Sequence, residues 1–272
     1  LLSDKKIGFI GAGMMAEAIA CGLLKAGVSA DNLLAFDTDA SRKKYFLKEL
    51  GIRGAADSRE VVGFAEIIIL AVKPFIISEV LSEIGESLHV GQLLISIAAG
   101  ITTSSIEDQI ERPVPVVRVM PNTPCLIGEG ATAVAPGKYA ERRHLSIAEA
   151  IFGAVGKVAT VTEDKIDAVT GLSGSGPAYV YMFIEALADG GVRMGLPRPT
   201  ALLLAAQTVA GAARMVLETG EHPAALRDRV TTPGGTTIAA TAALEASCFR
   251  SAAIEAVTIA AQKSVELGKN KK

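Results

Sequence analysis

The chain has no tryptophan, and phenylalanine and tyrosine supply only 4% of its 272 residues. That is too few aromatic faces for the base-stacking platforms of a single-strand nucleic-acid binder. Neither charge sign is in excess, because a net charge of −2 leaves no basic surplus for a nucleic acid or an anionic membrane. Cysteine is scarce and odd in number. Cys21, Cys125 and Cys248 lie far apart with no C-x-x-C pair, which points away from a disulfide framework and toward a reducing compartment, hence the cytoplasm. His89, His144 and His222 are scattered, and none stands at metal-ligand spacing from a cysteine or another histidine, so neither a metal site nor a catalytic triad is expected. The longest apolar runs, such as EIIILAV and ALLLAAQTVAGAA, are shorter than a bilayer span, so no membrane partner is expected. The amino terminus, LLSDKK, has no signal-peptide apolar core and no starting Met, and residues are expected to precede it.

What is present is apolar: 50% of residues are hydrophobic, enough for a sizeable core in one large domain or two ordinary ones. The first half alternates two patterns. KIGFIG is a short apolar run ending in glycine, and MMAEAIACGLLKAG then shows helical periodicity up to Gly27. NLLAF reads as a second strand and DASRKKYFLKELG as a helix closed by Gly51. AEIIILAV is a continuous apolar run, as expected of a parallel strand covered on both faces. QLLISIAAG and VPVVRVM add two strands, and ATAVAP and GKVATV are candidates to extend the sheet. Strands alternating with helices predict an α/β fold, a Rossmann-like doubly wound parallel sheet over residues 1–163. From residue 164 to 272 the segments are Ala- and Leu-rich and helical in pattern. Helices apolar on most sides must be buried within a domain or against another subunit, so an all-helical dimerisation domain is expected there.

Two stretches carry chemistry. IGFIGAGMMA places Gly11, Gly13 and Ala16 in a G-x-G-x-x-A pattern between a strand and a helix. Gly11 permits the tight turn, Gly13 lets a pyrophosphate approach the backbone, and Ala16 lets helix and strand pack closely. The loop residues Gly11, Ala12, Gly13, Met14 and Met15 are therefore candidates to hold a dinucleotide, NADPH or NADH. Asp37 ends the second strand, where an acid bonds the ribose 2′-hydroxyl of NADH and repels the 2′-phosphate of NADPH. Arg42, Lys43 and Lys44 follow closely and are able to neutralise such a phosphate, and the other reading is that Asp37 or Asp39 caps the next helix. In a doubly wound sheet ligands lie beyond the carboxyl ends of the strands, which makes Ala71, Val72, Lys73 and Pro74 cofactor-facing candidates. Ala98 and Ala99 suit a flat nicotinamide lying on the backbone. Asn122, in MPNTP, is a candidate amide donor, although Asn-x-x-Pro is also ordinary turn chemistry.

The second stretch is TTPGGTTI, residues 231–238, in a run without charge between Arg229 and Glu245. Pro233 favours a turn, Gly234 and Gly235 permit close approach, and Thr236 and Thr237 offer N–H groups and hydroxyls at the positive end of a helix. A carboxylate fits such a cradle without any arginine; a plain helix N-cap is the alternative. GLSGSGPAYVY, with Ser175, is either a packing turn or a second wall of the same pocket.

The motifs IGFIGAGMMAEAI, AVKP, SIAAG, MPNTP, GLSGSGPAY and TTPGGTTIAA together resemble those of pyrroline-5-carboxylate reductases, from about residue 5 to residue 267. The stretch Pro223–Glu245 fits that family's signature except at Thr241, where an aliphatic residue is usual. Asp37 is a second departure, since many members carry Ser, Asn or Arg there, consistent with NADPH. The resemblance implies reduction of 1-pyrroline-5-carboxylate to L-proline, the last step of proline synthesis. It implies a substrate carboxylate on Gly235, Thr236 and Thr237 at a dimer interface, with the pro-chiral carbon facing the nicotinamide. It further implies Thr237 as the hydroxyl that bonds the ring nitrogen and passes it a proton, with water as the alternative source, and homodimers that assemble into decamers. A 3-hydroxyacid dehydrogenase of like architecture is the alternative, but such enzymes place a catalytic lysine soon after the second glycine loop, and GSGPAYVY has none. A non-catalytic cofactor-binding regulator is the other.

Overall fold

The computed structural model describes residues 2–269. Apolar runs become short strands: β1 (Ile7–Ile10), β2 (Leu33–Phe36), β3 (Arg53–Gly54), β4 (Ile67–Leu70), β5 (Leu93–Ser96), β6 (Val116–Met120), β7 (Gly130–Pro136) and β8 (Gly156–Thr160). The helices between them are α1 (Met14–Lys25), α2 (Ala40–Leu50), α3 (Ser58–Phe64), α4 (Ile77–Ile84), α5 (Thr103–Glu107) and α6 (Arg142–Gly153). Among the described residues the strands form one sheet in the order β3-β2-β1-β4-β5-β6-β7-β8. The order reverses at β1 and β4, the crevice where doubly wound sheets bind ligands.

Alternation along each strand divides the core into two layers. Ile7, Phe9, Ile67, Ile69, Leu93 and Ile95 point to one face, with Ile19 and Leu23 of α1 and Phe46 of α2. Ile10, Ile68, Leu70 and Leu94 point to the other, with Val61 of α3 and Leu81 of α4. Both faces are covered, which is why the strands read as unbroken apolar runs rather than alternating ones.

The expected doubly wound sheet is present and mostly parallel, with one exception. The sheet is not parallel throughout, because β7 runs antiparallel to β6 before β8 returns parallel to β7. Only residues 121–129 join β6 to β7, wound into a short turn at Thr123–Ile127. A parallel return needs a crossover of about a dozen residues or more, so this link permits only the antiparallel partner.

After β8 come α7 (Ile166–Val169), a wide turn of π-helical winding at Thr170–Gly174, and then α8 (Gly176–Arg193), α9 (Arg198–Thr219), α10 (Pro223–Arg229), α11 (Thr236–Ala246) and α12 (Phe249–Lys269). The chain divides into two compact units at Ser175/Gly176 rather than at 163/164, and the last turns of α12, from Ile259, return to the first unit. Residues 164–175 stay with the sheet because Ile166 packs on Ala133 and Ala135 of β7. Ser264 of α12 likewise donates to the Asp167 carboxylate at 2.6 Å.

The second unit has a slender core, in which Ala188, Ala201 and Ala205 seat α8 against α9. Leu203, Leu217, Met182 and Ile254 are left more than 60% exposed. The helix α9 exceeds the apolar run seen in the sequence and is long and apolar enough, by length and composition, to cross a membrane. The apolar faces expected to be buried are thus not buried by this chain itself.

Candidate active site

The glycine loop is built from the switch point upward. Gly11 donates its N–H to the Phe36 carbonyl at 2.8 Å, and Ala71 donates to the Ile10 carbonyl at 2.8 Å, so the ends of β1, β2 and β4 are laced together. Gly11 has φ +96°, and a Cβ there would stand 2.6 Å from the Ala71 carbonyl oxygen, so only glycine fits. Gly13 caps α1 without a side-chain hydrogen bond, and nothing lies within 4 Å of where its Cβ would be. The first N–H groups of α1 therefore open on free space beside a positive helix end, as a pyrophosphate requires. Ala16 is fully buried under the loop.

A cleft of about 760 Å³ runs across this crevice. It brings together Gly11, Gly13, Met14, Met15, Asp37, Ala71, Val72, Lys73, Pro74, Ala98 and Ala99 of the expected residues. Thr38, Ser58, Glu79, Glu83, Met120 and Pro121 also line it. Sequence pattern did not single out Glu79 and Glu83, because they lie on α4, whose apolar periodicity speaks only for its buried face, and Ser58 is a polar residue on the buried face of α3.

Two expected residues stand elsewhere. Ala12 is buried and serves the loop through its backbone. Its N–H donates to Asp37 Oδ2 at 2.7 Å and its carbonyl accepts from Arg42 Nε at 2.7 Å. Asn122 does not face the cleft. Its Oδ1 accepts from the Ala131 N–H at 2.9 Å and its Nδ2 donates to the Ser173 carbonyl at 3.0 Å, so the amide is spent on the protein's own backbone.

The β2 terminus separates the two acids that spacing left equivalent. Asp39 caps α2 by accepting from the Ser41 N–H at 2.8 Å. Asp37 is no cap: besides Ala12 it accepts from the Asp39 N–H at 2.8 Å, and it lines the cleft. Of the three nearby cations, Arg42 is committed to Ala12 and to Glu17, which it meets at 2.6 Å. Tyr45 donates to the other Glu17 oxygen at 2.8 Å. Burial works to raise the Glu17 pKa, but the hydrogen bonds from Arg42 and Tyr45 and the Arg42 charge outweigh it and hold the carboxyl below its ordinary value. Lys43 Nζ sits 5.3 Å from the centre of the Phe36 ring, itself a cleft wall, and Lys44 is exposed.

Within the second unit, Thr232–Gly235 forms a tight turn closed by a 3.1 Å bond from Gly235 N–H to the Thr232 carbonyl. Pro233 takes its second position, and Gly234, at φ +66°, its third, where a positive φ is needed. A Cβ on Gly235 would come 2.4 Å from the Thr232 hydroxyl, which explains the second glycine. Gly235 caps α11 with no side-chain hydrogen bond, so the first-turn N–H groups of Thr236 and Thr237 have no capping partner. Thr231, Thr241, Thr208 and Thr258 each bond back to a carbonyl of their own segment. Among the described residues the Thr236 and Thr237 hydroxyls make no such bond. Ser175 ends the wide turn, its N–H closing on the Thr170 carbonyl at 2.8 Å.

A separate hollow of about 440 Å³ is lined by Thr103, Glu107, Lys138, Tyr139 and Glu163. Glu163 is held by the Thr103 N–H and hydroxyl at 2.7 and 2.6 Å, whereas Glu107 Oε1 is buried without a partner among the described residues. Also among the described residues, no group of three or more His, Cys, Asp or Glu is arranged to hold a metal ion.

Comparison with known proteins agrees with both halves of this architecture. Residues 6–100 match a family model described as NADP oxidoreductase, coenzyme F420-dependent, and residues 163–267 match one described as pyrroline-5-carboxylate reductase dimerisation. The chain is 48% identical, over 98% of its length and all of the relative's, to a pyrroline-5-carboxylate reductase of Methanosarcina acetivorans. It is 44% identical to that of Escherichia coli K12, with 98% and 100% of the two chains covered. A solved pyrroline-5-carboxylate reductase from Coxiella burnetii superposes with a TM-score of 0.93 at 38% identity, covering 97% of this chain and 98% of that one. The Plasmodium falciparum enzyme, solved with NADP bound, gives 0.86 at 33% identity over 98% of this chain and 100% of that one. Prephenate dehydrogenase from Aquifex aeolicus, at 14% identity and a TM-score of 0.55 over 84% of this chain and 96% of that one, shares the fold alone. With these identities sustained over nearly its full length, the chain belongs to the pyrroline-5-carboxylate reductase family.

Proposed function

We propose that the protein reduces 1-pyrroline-5-carboxylate to L-proline with NADPH or NADH, the last step of proline biosynthesis. The observation that carries the substrate assignment is the uncapped mouth of α11, with its free N–H groups and the unspent hydroxyls of Thr236 and Thr237. A substrate with one carboxylate and one ring nitrogen matches that set of donors. The open space at Gly13 and the free start of α1 fit a dinucleotide pyrophosphate.

When bound, the dinucleotide supplies the hydride. The chain's own residues have the remaining work of holding and excluding. The N–H groups of Thr236 and Thr237, at a positive helix end, hold the carboxylate. The Thr237 hydroxyl bonds the ring nitrogen and passes it a proton, replenished from water because threonine is a weak acid. Ala98 and Ala99 leave a flat wall for the nicotinamide, and Lys73 with Gly11 and Gly13 serves the phosphates. A protonated imine is already electrophilic, so orientation and proximity account for much of the acceleration.

The assembled unit we propose is a homodimer through residues 164–272, built into a larger oligomer such as a decamer. Support comes from the exposed apolar faces of the second unit and from the dimerisation family model that spans it. A cytoplasmic location is supported by three free cysteines, none paired.

The test is oxidation of NADH and NADPH measured side by side at 340 nm with pyrroline-5-carboxylate, with proline identified as product. Imine-dependent consumption of either cofactor is the expected result. Cofactor binding without turnover would make the chain a sensor instead, and oxidation of a 3-hydroxyacid in its place would make it a dehydrogenase.

A further inference from the structure

Asn122 is nearly buried, 9% exposed, and both ends of its amide are bonded to backbone. The two residues before it, Met120 and Pro121, form a wall of the cofactor cleft. Its partner carbonyl, Ser173, lies in the wide turn that leads to Ser175. In an α-helix that carbonyl would accept from the N–H four residues on, but that residue is Pro177, which has none. The Asn122 amide supplies the missing donor. π-Helical winding is rare, and where it occurs it is frequently at functional sites.

A second contact joins the same two parts. A Cβ on Gly174 would lie 2.8 Å from Met120 Cε, so the turn rests directly on the methionine that walls the cleft. Through Ala131, the Asn122 amide also reaches the start of β7. One side chain thus joins the cleft wall, the start of β7 and the loop that carries Ser175.

We propose that Asn122 is a positioning residue for hydride transfer: its amide fixes the Thr170–Ser175 turn against the Met120–Pro121 wall, and so sets where the imine stands relative to the nicotinamide. The inference rests on the reading of the cleft as the NAD(P)H site and of Ser175 as a wall of the imine pocket.

Asn122→Asp keeps the acceptor for Ala131 and removes the donor to Ser173. Gly174→Ala leaves Asn122 intact and pushes on Met120. Both are compared with the wild type for dinucleotide Kd, melting temperature, kcat, KM for the imine, and the primary isotope effect with 4-deuterated cofactor. The expected result is a Kd within about threefold of wild type, a kcat lower by about tenfold to a hundredfold, and a larger isotope effect on kcat, because a shift of about 1 Å in the reacting groups has consequences of that order. Wild-type kcat and isotope effect in both variants would overturn the inference. So would a fall in kcat that merely follows losses in Kd and melting temperature with the isotope effect unchanged. Should Asn122→Asp not fold, Gly174→Ala decides by the same criteria. A wild type that leaves the imine unreduced overturns the function and this inference together, whereas an active wild type matched by both variants overturns the inference alone.

Discussion

The carboxylate of Asp37 holds the backbone N–H of Ala12 at 2.7 Å, across 25 residues of sequence. Arg42 holds the carbonyl of the same residue from the other side, also at 2.7 Å. One residue of the phosphate loop is thereby clamped at both its polar groups. Each Asp37 oxygen accepts one backbone N–H, so the acid shapes the loop, and as a cleft-lining residue it is also the proposed partner of a ribose hydroxyl.

That double role makes Asp37→Ser informative. Removing the charge beside the 2′ position is expected to move the kcat/KM ratio toward NADPH by about 1–3 kcal/mol, while loosening the loop weakens both cofactors. Asp37→Asn, which retains an acceptor, should move the ratio with less loss of affinity. Steady-state kinetics with both cofactors decide, and a wild type strongly selective for NADPH would reject the ribose role and turn attention to Lys43.

Arg42→Ala removes the second half of the clamp and the partner of Glu17. A carboxyl held below its unfolded pKa stabilises the fold above that value, near 4.5, and loses the contribution as pH falls through the folded one. The stability difference between wild type and Arg42→Ala should therefore be about 1 kcal/mol at pH 7, modest because the pair is partly exposed, and should narrow steadily below about pH 5. Urea unfolding across that range measures it, and a gap independent of pH would contradict the assignment.

Thr237→Ala deletes one hydroxyl and leaves the N–H groups and dipole of α11 in place. Loss of a hydrogen bond to a charged group costs about 1.5–3 kcal/mol, so kcat/KM for the imine should fall about tenfold to a hundredfold or somewhat more. Dinucleotide affinity, titrated on the same variant, should stay at the wild-type value. Unchanged imine kinetics would reject the Thr237 hydroxyl as the group that bonds the ring nitrogen.

Glu107 works in the opposite sense from Glu17. Burial pushes its carboxyl up and the Glu163 charge adds to this, against the N–H groups of Lys138 and Tyr139. A raised carboxyl costs stability as pH rises through its folded value. The stability of Glu107→Gln relative to wild type should thus be greater at pH 7 than at pH 4, read by thermal unfolding. A loss at pH 7 would mean that the N–H groups of Lys138 and Tyr139 outweigh the burial.

Leu203 is 68% exposed on α9. Leu203→Glu should lower the mass seen by light scattering and abolish most imine turnover, while dinucleotide binding persists. A fully active monomer would contradict assembly through this unit, and partition into vesicles would point to a membrane instead.

Much of this protein was legible in the order of its residues. Unbroken runs such as IIIL could only be strands covered on both faces, and G-x-G-x-x-A at the end of the first of them is a local instruction for a tight turn and an open helix end. TTPGGTT is equally local, since one proline, two glycines and four threonines specify a turn and an uncapped helix within seven residues. Tertiary structure decided what distance in sequence conceals. Whether Asp37 or Asp39 caps α2 depends on where Ala12 lies, and whether Asn122 faces the cofactor depends on a carbonyl that Pro177 leaves without its helical donor. A side chain's spacing pattern reports the face it occupies, but its hydrogen bonds go to whichever unpaired backbone group the fold brings near. The antiparallel β7 follows from loop length, and the bare flanks of α8 and α9 from a core too slender to cover them, so neither could be read from apolar periodicity alone.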